Sequence, residues 1–580
     1  MGNQLLIRDT RTHSKGGLPH LQSPCNLTPD SFLLITFPFI LHLTTFQNTM
    51  RSHLLRLLFF LGTTGMAFAQ TPQLQWSALY GGSGQNSNYD VVHAQQGKVL
   101  TCGIYSATMT IGSQTLPNAG AMDGYVTMFS ATGQPEWSKR LSGSADDIIR
   151  CVHQDAQGDV FLAGQYASPA SFDGNSLPYA GETDGFLARL NPDGQIVWIK
   201  TSTNTGNMNW NRVATDASGN TIALGQFTDT LILGTNTLIS NSFPNLVLAK
   251  WNPAGDLLWA KSWGAAGADN GFELCVAPSG HIVVSADYQG PITLGNLSLP
   301  WKGLSDALVF QTDPDGNPVW AQSIGGKQTD NGFAVTIAEN GDVIAAGCYM
   351  DTLKVNNTTL VSKGAWDLFL FRFTSTGEPV WGRSLGGKEN DRCNSVGVGP
   401  DGRIYMHGWF QDTLVTGPFS LPSMGSFDGF VAQFESDGQP SGAFSYGSSN
   451  LDVGAGMDID SEGNLILAGY FFGSSITFGT QSLVSNTATT HYLFRTGPFI
   501  SNIRNKQPDH SPILCFQEGD RMNFRSSETG DIEVLDAMGR RVFQSSISAE
   551  GVCSVSLPEG IYRYRFATEK KVYSSAFLSP

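Results

Sequence analysis

Among the residues able to do chemistry, one set recurs at a fixed spacing. Asn86, Asp147, Met208, Asp269, Asp330, Asp391 and Asp452 are each 61 residues from the next. Five carboxylates on one rim would form a negative ring suited to a cation or a polar ligand. The competing reading is that each one caps its own loop by accepting backbone N–H bonds. Trp210, Trp301 and Trp366 fall in segments predicted as loops on the same side, where flat rings could stack on sugars or pack on a partner. Trp409 fits either a loop or the core. The binding candidates are therefore Asp147, Asp269, Asp330, Asp391, Asp452, Trp210, Trp301 and Trp366.

Catalytic signatures are scarce. No zinc-helix, nucleophile-elbow or phosphate-loop site is expected, and no Cys-x-x-Cys pair occurs. His93, His153, His281, His407 and His491 are scattered, so no metal, cofactor or catalytic residue is assigned. The segment Asp313 to Gly316 reads as a plain turn rather than a calcium loop, since the later ligands are missing.

The elements that must position these residues are strands. Charged residues make up 14% of the chain, against about 25% in an average soluble protein. Gly accounts for 66 of 580 residues and the net charge is −15. That balance repels phosphate backbones, so no nucleic-acid partner is expected. Trp76, Trp137, Trp198, Trp259, Trp320 and Trp381 repeat every 61 residues. So do Gly97, Gly158, Gly219, Gly280, Gly341, Gly402 and Gly463. A third column holds Asp123, Asp184, Asn245, Asp306, Asp367 and Asp428, and slips by one near Thr490-His491-Tyr492, as if a residue were inserted around Gly473. The Trp column reads as core, and the Asp123 column as turn caps. Trp251 and Trp263 also read as core.

Each repeat contains four strands. In the unit around Gly341 these are FAVTIAE, DVIAAGCY, DLFLFRF and PVWGRSLGG, with an Asn-Gly hairpin between the first two. Turns such as NPDG and DPDG need the positive φ that Gly supplies. Seven repeats of four strands predict an all-β, seven-bladed β-propeller over residues 70–499. The array opens with a lone fourth strand, LQWSALYGG, and closes after a third, HYLFRTG, so the N-terminal strand would close the ring.

The repeat resembles the SBBP-type bacterial β-propeller repeat of secreted Bacteroidota proteins. The residues that carry the resemblance are the G-x-D-G-F segment (Gly181 to Phe186), the D-x-x-G-N/D turns (Asp155 to Asp159, Asp216 to Asn220), the A-G-x-Y/F strands (Ala163 to Tyr166, Ala346 to Tyr349) and the recurrent Trp.

The ends carry export signals. Apolar runs cover residues 32–46 and 54–69; Met50, Arg51, Arg56 and the Ala67-Phe68-Ala69 triplet read as a signal peptide over 50–69, cleaved before Gln70. Residues 1–49 then read as an over-extended start or a disordered leader, and a membrane anchor built from both runs is the competing reading. The mature chain is expected to hold no stable membrane span. After a linker over 500–512, residues 513–580 show short strands enough for a small β-sandwich. The runs Asp536 to Val542 and Leu557 to Tyr562 resemble the type A C-terminal sorting domain of the type IX secretion system, which implies sorting residues Asp536, Gly539, Arg540, Gly560 and Tyr562. The last strand departs from that family, ending SSAFLSP without its usual basic residues. The resemblance implies the type IX secretion machinery as a partner and a secreted or outer-membrane-attached product. Cys515 and Cys553 are candidates for a disulfide in an oxidising compartment.

The functional expectation is a non-catalytic propeller binding a glycan, polymer or surface protein through its loop face. A polysaccharide lyase or hydrolase, or an adhesin or spacer, are the alternatives.

Overall fold

The computed structural model describes residues 71–241, 243–499 and 513–579, the last stretch with gaps at 519–520, 527–528, 537–539, 550–551, 559 and 569–571. The predicted leader, signal peptide and linker lie outside the described residues.

The described chain is almost wholly β. In the fifth repeat, Asp330–Ile337, Val343–Tyr349, Asp367–Phe373 and Pro379–Leu385 pair as neighbours in one antiparallel sheet. The same four-strand order recurs in seven sheets among the described residues. The predicted turn glycines do what their type allows: Gly341 has φ +85° and Gly194 in NPDG has φ +76°. In the last of these sheets the strand Thr489–Pro498 lies between Asn464–Phe472 and the N-terminal strand Leu74–Gly82. The one-residue slip is real: Phe410 pairs with Asp428, whereas Phe471 pairs with Thr490 rather than Thr489.

The core sits between sheets. Each first strand packs against the first strands of the sheets before and after it, and the last, Asp452–Ile459, packs against the first, Asn86–His93. Apolar clusters fill these junctions. One joins Leu100 and Val126 to Leu162 and Phe186; another joins Val91 and Phe129 to Ile466 and Leu493. The Trp column works at the same seams. Trp320 lies against Gly377 of the following sheet and donates its indole N–H to the Ser375 carbonyl at 3.1 Å. Trp198 and Trp381 make the equivalent bonds to Pro253 and Ser436. The ring fills the wedge while its polar edge ties neighbouring sheets together.

Every first strand also carries a β-bulge at the same register, three residues past the Asn86 column. The ladder skips Tyr89, Arg150, Asn211, Phe272, Phe333, Asn394 and Ala455. The second-strand Gly of the A-G-x-Y/F motif explains the fit. A Cβ at Gly408 would stand 1.9 Å from the Arg392 carbonyl oxygen, and one at Gly347 would stand 1.9 Å from that of Asn331. Glycine there lets the bulged backbone approach.

The long connection between second and third strands is itself built of strands. Thr352–Val355 and Thr358–Val361 form a small hairpin that pairs with the end of the preceding sheet's fourth strand, Gly326 opposite Leu353. Alternating Val, Leu and Thr favour strand, and Asn356 takes the turn's positive φ of 47°.

In the C-terminal segment, a three-stranded and a four-stranded sheet share a cluster of Met522, Phe524, Ile532, Val534, Tyr564 and Phe566. The register corrects the disulfide expectation. Cys515 and Cys553 both lie opposite Phe524, on the strands to either side of it. Two strand spacings, roughly 9–10 Å, exceed the reach of a disulfide, and Cys553 is a free thiol. Among the described residues no helix is long and apolar enough to cross a membrane.

Candidate functional site

The seven bulged residues converge. Tyr89, Arg150, Asn211, Phe272, Phe333, Asn394 and Ala455 all line one cavity of about 540 Å³. A bulge turns its side chain out of the ladder, and here all seven turn toward that cavity. Arg212, Arg392, Gln226, Trp409 and Tyr470 complete the wall with Asn88, Asn270, Gly271 and Val453. These residues occupy the first halves of the first strands and the last halves of the second strands. That is the end bearing the longer connections, the side the sequence singled out.

The lining contains three arginines and no carboxylate. Arg212 is already committed, donating from Nε to Glu273 Oε2 at 2.8 Å. Burial alone would push its pKa down, but Glu273 and Asp90 outweigh that and hold the guanidinium above its ordinary value. Arg150 has no such partner. Its Nε and Nη2 share Gln165 Oε1, both at 3.3 Å, and its guanidinium lies 5.7 Å from the Tyr89 ring centre. Burial pushes the Arg150 pKa down; Tyr89 opposes this and Arg212 adds to it. Arg392 lies 4.1 Å over the Phe333 ring and donates from Nε to Asn394 Oδ1 at 3.0 Å.

Aromatic surfaces alternate with these cations. Phe272 and Phe333 meet edge to face at 4.9 Å, and Trp409 is braced on Phe427 at 4.6 Å. Amides are fixed as well: Asn211 Nδ2 donates to Gln226 Oε1 at 2.6 Å and to the Gly271 carbonyl at 2.7 Å, and Asn394 Nδ2 to the Gly454 carbonyl at 2.7 Å. The arrangement offers ring faces, preset amides and positive charge, a set suited to holding a polar ring compound.

The predicted site residues go elsewhere. Asp147, Asp269, Asp330, Asp391 and Asp452 are buried, not displayed on a rim. All but Asp147 accept a cap bond from their own loop, Asp330 Oδ2 from Gly326 N at 2.6 Å and Asp391 Oδ2 from Gly387 N at 2.9 Å. Four of them face a third-strand Asp of the preceding sheet: 123 with 147, 306 with 330, 367 with 391 and 428 with 452. Burial first, then that neighbour, pushes Asp147, Asp330 and Asp452 up to about 7 and Asp391 to about 8. Burial first, with Asp287 adding to it, drives Asp269 to about 7, its opposite number in the third-strand column being Asn245.

Trp210 is core, only 1% exposed and packed edge to face on Trp251 at 5.5 Å. It stands in a first strand, not a loop, because its side alternates inward between sheets. Trp366 is half-buried against an intersheet cluster. Trp301 is the one of the three that is exposed, at 43%. Trp409, ambiguous in sequence, lines the cavity. The bulge column was missed: its residues, Tyr, Arg, Asn, Phe, Phe, Asn and Ala, share no side-chain type that would mark a 61-residue column as the recurrent Gly and Trp do.

The sequence reading finds no G-x-S-x-G motif, but Gly382 to Gly386 carries one. It lies in an extended fourth strand, not a strand-to-helix turn, and Ser384 Oγ bonds the Tyr349 hydroxyl at 2.7 Å. In the C-terminal segment, Asp536 closes a hairpin by accepting from Arg540 N at 2.9 Å and Arg540 Nε at 2.8 Å. Tyr562 pairs with Asp536 across the sheet, Gly560 starts its strand, and Gly539 lies outside the described residues.

Comparison with known proteins bears on the architecture. The family described as a domain of unknown function (DUF5122), beta-propeller, matches residues 172–196. An uncharacterized WD repeat-containing protein, L264, of Acanthamoeba polyphaga mimivirus is 19% identical over 540 residues, covering 74% of this chain. The chain is a β-propeller repeat protein. The regulatory protein FlaEY of Caulobacter vibrioides is 26% identical over 176 residues, covering 29% of the chain. The matches span 38% and 18% of these two relatives' own lengths. Among solved structures, a chimera of apocarotenoid oxygenase and RPE65 aligns over 73% of this propeller chain and 94% of its own, with 11% identity and a TM-score of 0.34. The Synechocystis apocarotenoid oxygenase carrying Trp149Ala aligns over 75% and 96%, with 10% identity and a TM-score of 0.32.

Proposed function

We propose that this protein is an exported, non-catalytic binding propeller that takes a glycan into its central cavity. In this reading the seven sheets are blades of a ring closed by Leu74–Gly82 against Thr489–Pro498. Support comes from that pairing and from the apolar cluster shared by the last and first sheets. Residues 50–69 serve as the signal peptide. The C-terminal β-sandwich is read by the type IX secretion machinery, leaving the propeller secreted or attached to the outer surface.

One observation carries the binding role: seven bulges at one register aim chemically different side chains into one cavity. A spacer has no use for such variety at a position its scaffold repeats. Glycoside hydrolysis draws on a pair of carboxyl groups, and this lining supplies none. A lyase would need a ready base, yet burial pushes the Tyr89 and Tyr470 phenols up, Arg150 opposing it only in part at Tyr89.

A glycan array with the whole exported protein tests this reading. Selective binding is expected, reduced about tenfold or more by Trp409→Ala and by Tyr470→Ala in variants that melt like the parent. Binding untouched by both, but lost with Trp301→Ala, would move the site to the outer loops.

A further inference from the structure

The charge of the cavity is opposite to that of the molecule. The chain carries −15 overall, yet its cavity holds Arg150, Arg212 and Arg392 and not one Asp or Glu. Arg212 is neutralised by Glu273 at 2.8 Å. Among the described residues, neither Arg150 nor Arg392 has a carboxylate partner. Arg150 Nη1 and both terminal nitrogens of Arg392 have no acceptor within the described protein. Both side chains are half-buried. A guanidinium without a carboxylate partner that is also preset by packing on a ring, as both are here, is ready to engage an anion in its forked geometry.

We propose that the cavity selects acidic sugars, with Arg150 and Arg392 receiving uronate carboxylates while Trp409 and Tyr470 stack on the sugar rings. This rests on the glycan-binding reading and narrows it. The fixed amides of Asn211 and Asn394 lie in the same lining, placed to meet ring hydroxyls. A neutral glycan would leave both guanidinium groups unpaired and desolvated, so discrimination follows from what the wrong ligand fails to satisfy.

The test is titration calorimetry on the whole protein with three probes: oligogalacturonate, oligoglucuronate and oligomannuronate. Each is paired with its carboxyl-reduced, neutral counterpart, and a neutral glycan panel runs alongside. At least one uronate is expected to bind at least tenfold more tightly than its reduced form, with affinity falling as salt rises. Arg150→Gln and Arg392→Gln should each erase most of that preference in variants that melt like the parent. Arg150→Lys should retain part of it. Equal binding of acidic and reduced forms, or binding confined to neutral glycans, would overturn the acidic-sugar assignment and leave glycan binding standing. Binding to no glycan at all would remove both readings.

Discussion

At the residue scale, the aspartates that looked like a ligand ring are structural acids. Asp391 faces Asp367 in a buried junction, and its folded pKa of about 8 lies above that of an unfolded Asp. The folded state therefore holds the proton more tightly. The stability this contributes is complete below about pH 4 and is lost as pH rises through about 8. Buried His153, His407 and His491, lowered to about 4, 3 and 3 mainly by burial, act in the opposite sense and cost stability as pH falls below about 6.5. The protein should be most stable in weakly acidic solution. Asp391→Asn should flatten the alkaline side, by roughly 2–4 kcal/mol between pH 5 and pH 8 in urea unfolding. Asn86 and Asn245 already stand at such junctions, so the amide is sterically acceptable. An identical fall in parent and variant would show that Asp391 does not titrate there.

At the element scale, strand, bulge and glycine form one device. The alternation of apolar residues and the Asn-Gly turns were legible in sequence because they express local backbone preference. The reason for the second-strand Gly was not, since it exists only once the bulged partner is paired beside it. Gly408→Ala should cost about 1–3 kcal/mol, because its methyl would meet backbone rather than a movable side chain. Ala286 holds this place only in the sheet whose first strand begins at Asn270. Tyr89→Ala should cost less than Gly408→Ala, since the seventh bulge already carries Ala455. Chemical denaturation of both variants checks the order, and a greater loss for Tyr89→Ala would mean the bulge depends on its side chain.

At the scale of the whole molecule, Leu74–Gly82 is the fourth strand of the sheet that otherwise ends at Thr489–Pro498. It also brings Tyr80 to a buried cluster where Tyr125 bonds His491 at 2.6 Å. Deleting residues 71–83 would leave a long strand edge unpaired, a template for association. The truncated protein should melt well below the parent and elute as oligomers in gel filtration. A monomer with unchanged melting temperature would argue against closure by this strand.

The sequence by itself determined the 61-residue period, the four strands in each repeat, the turn glycines and the packing, rather than ligand-binding, role of the Trp column, though only Trp320 of it is buried. All of these follow from local preference and from repetition that needs no partner to be seen. The tertiary structure alone decided that the Asp column is buried, that Trp210 is core, that Cys515 and Cys553 stand two strands apart, and that Trp409 and the bulged residues share a cavity. Each of these depends on register between strands and on the approach of strands from seven different repeats. No residue's own preference encodes where such distant backbones meet.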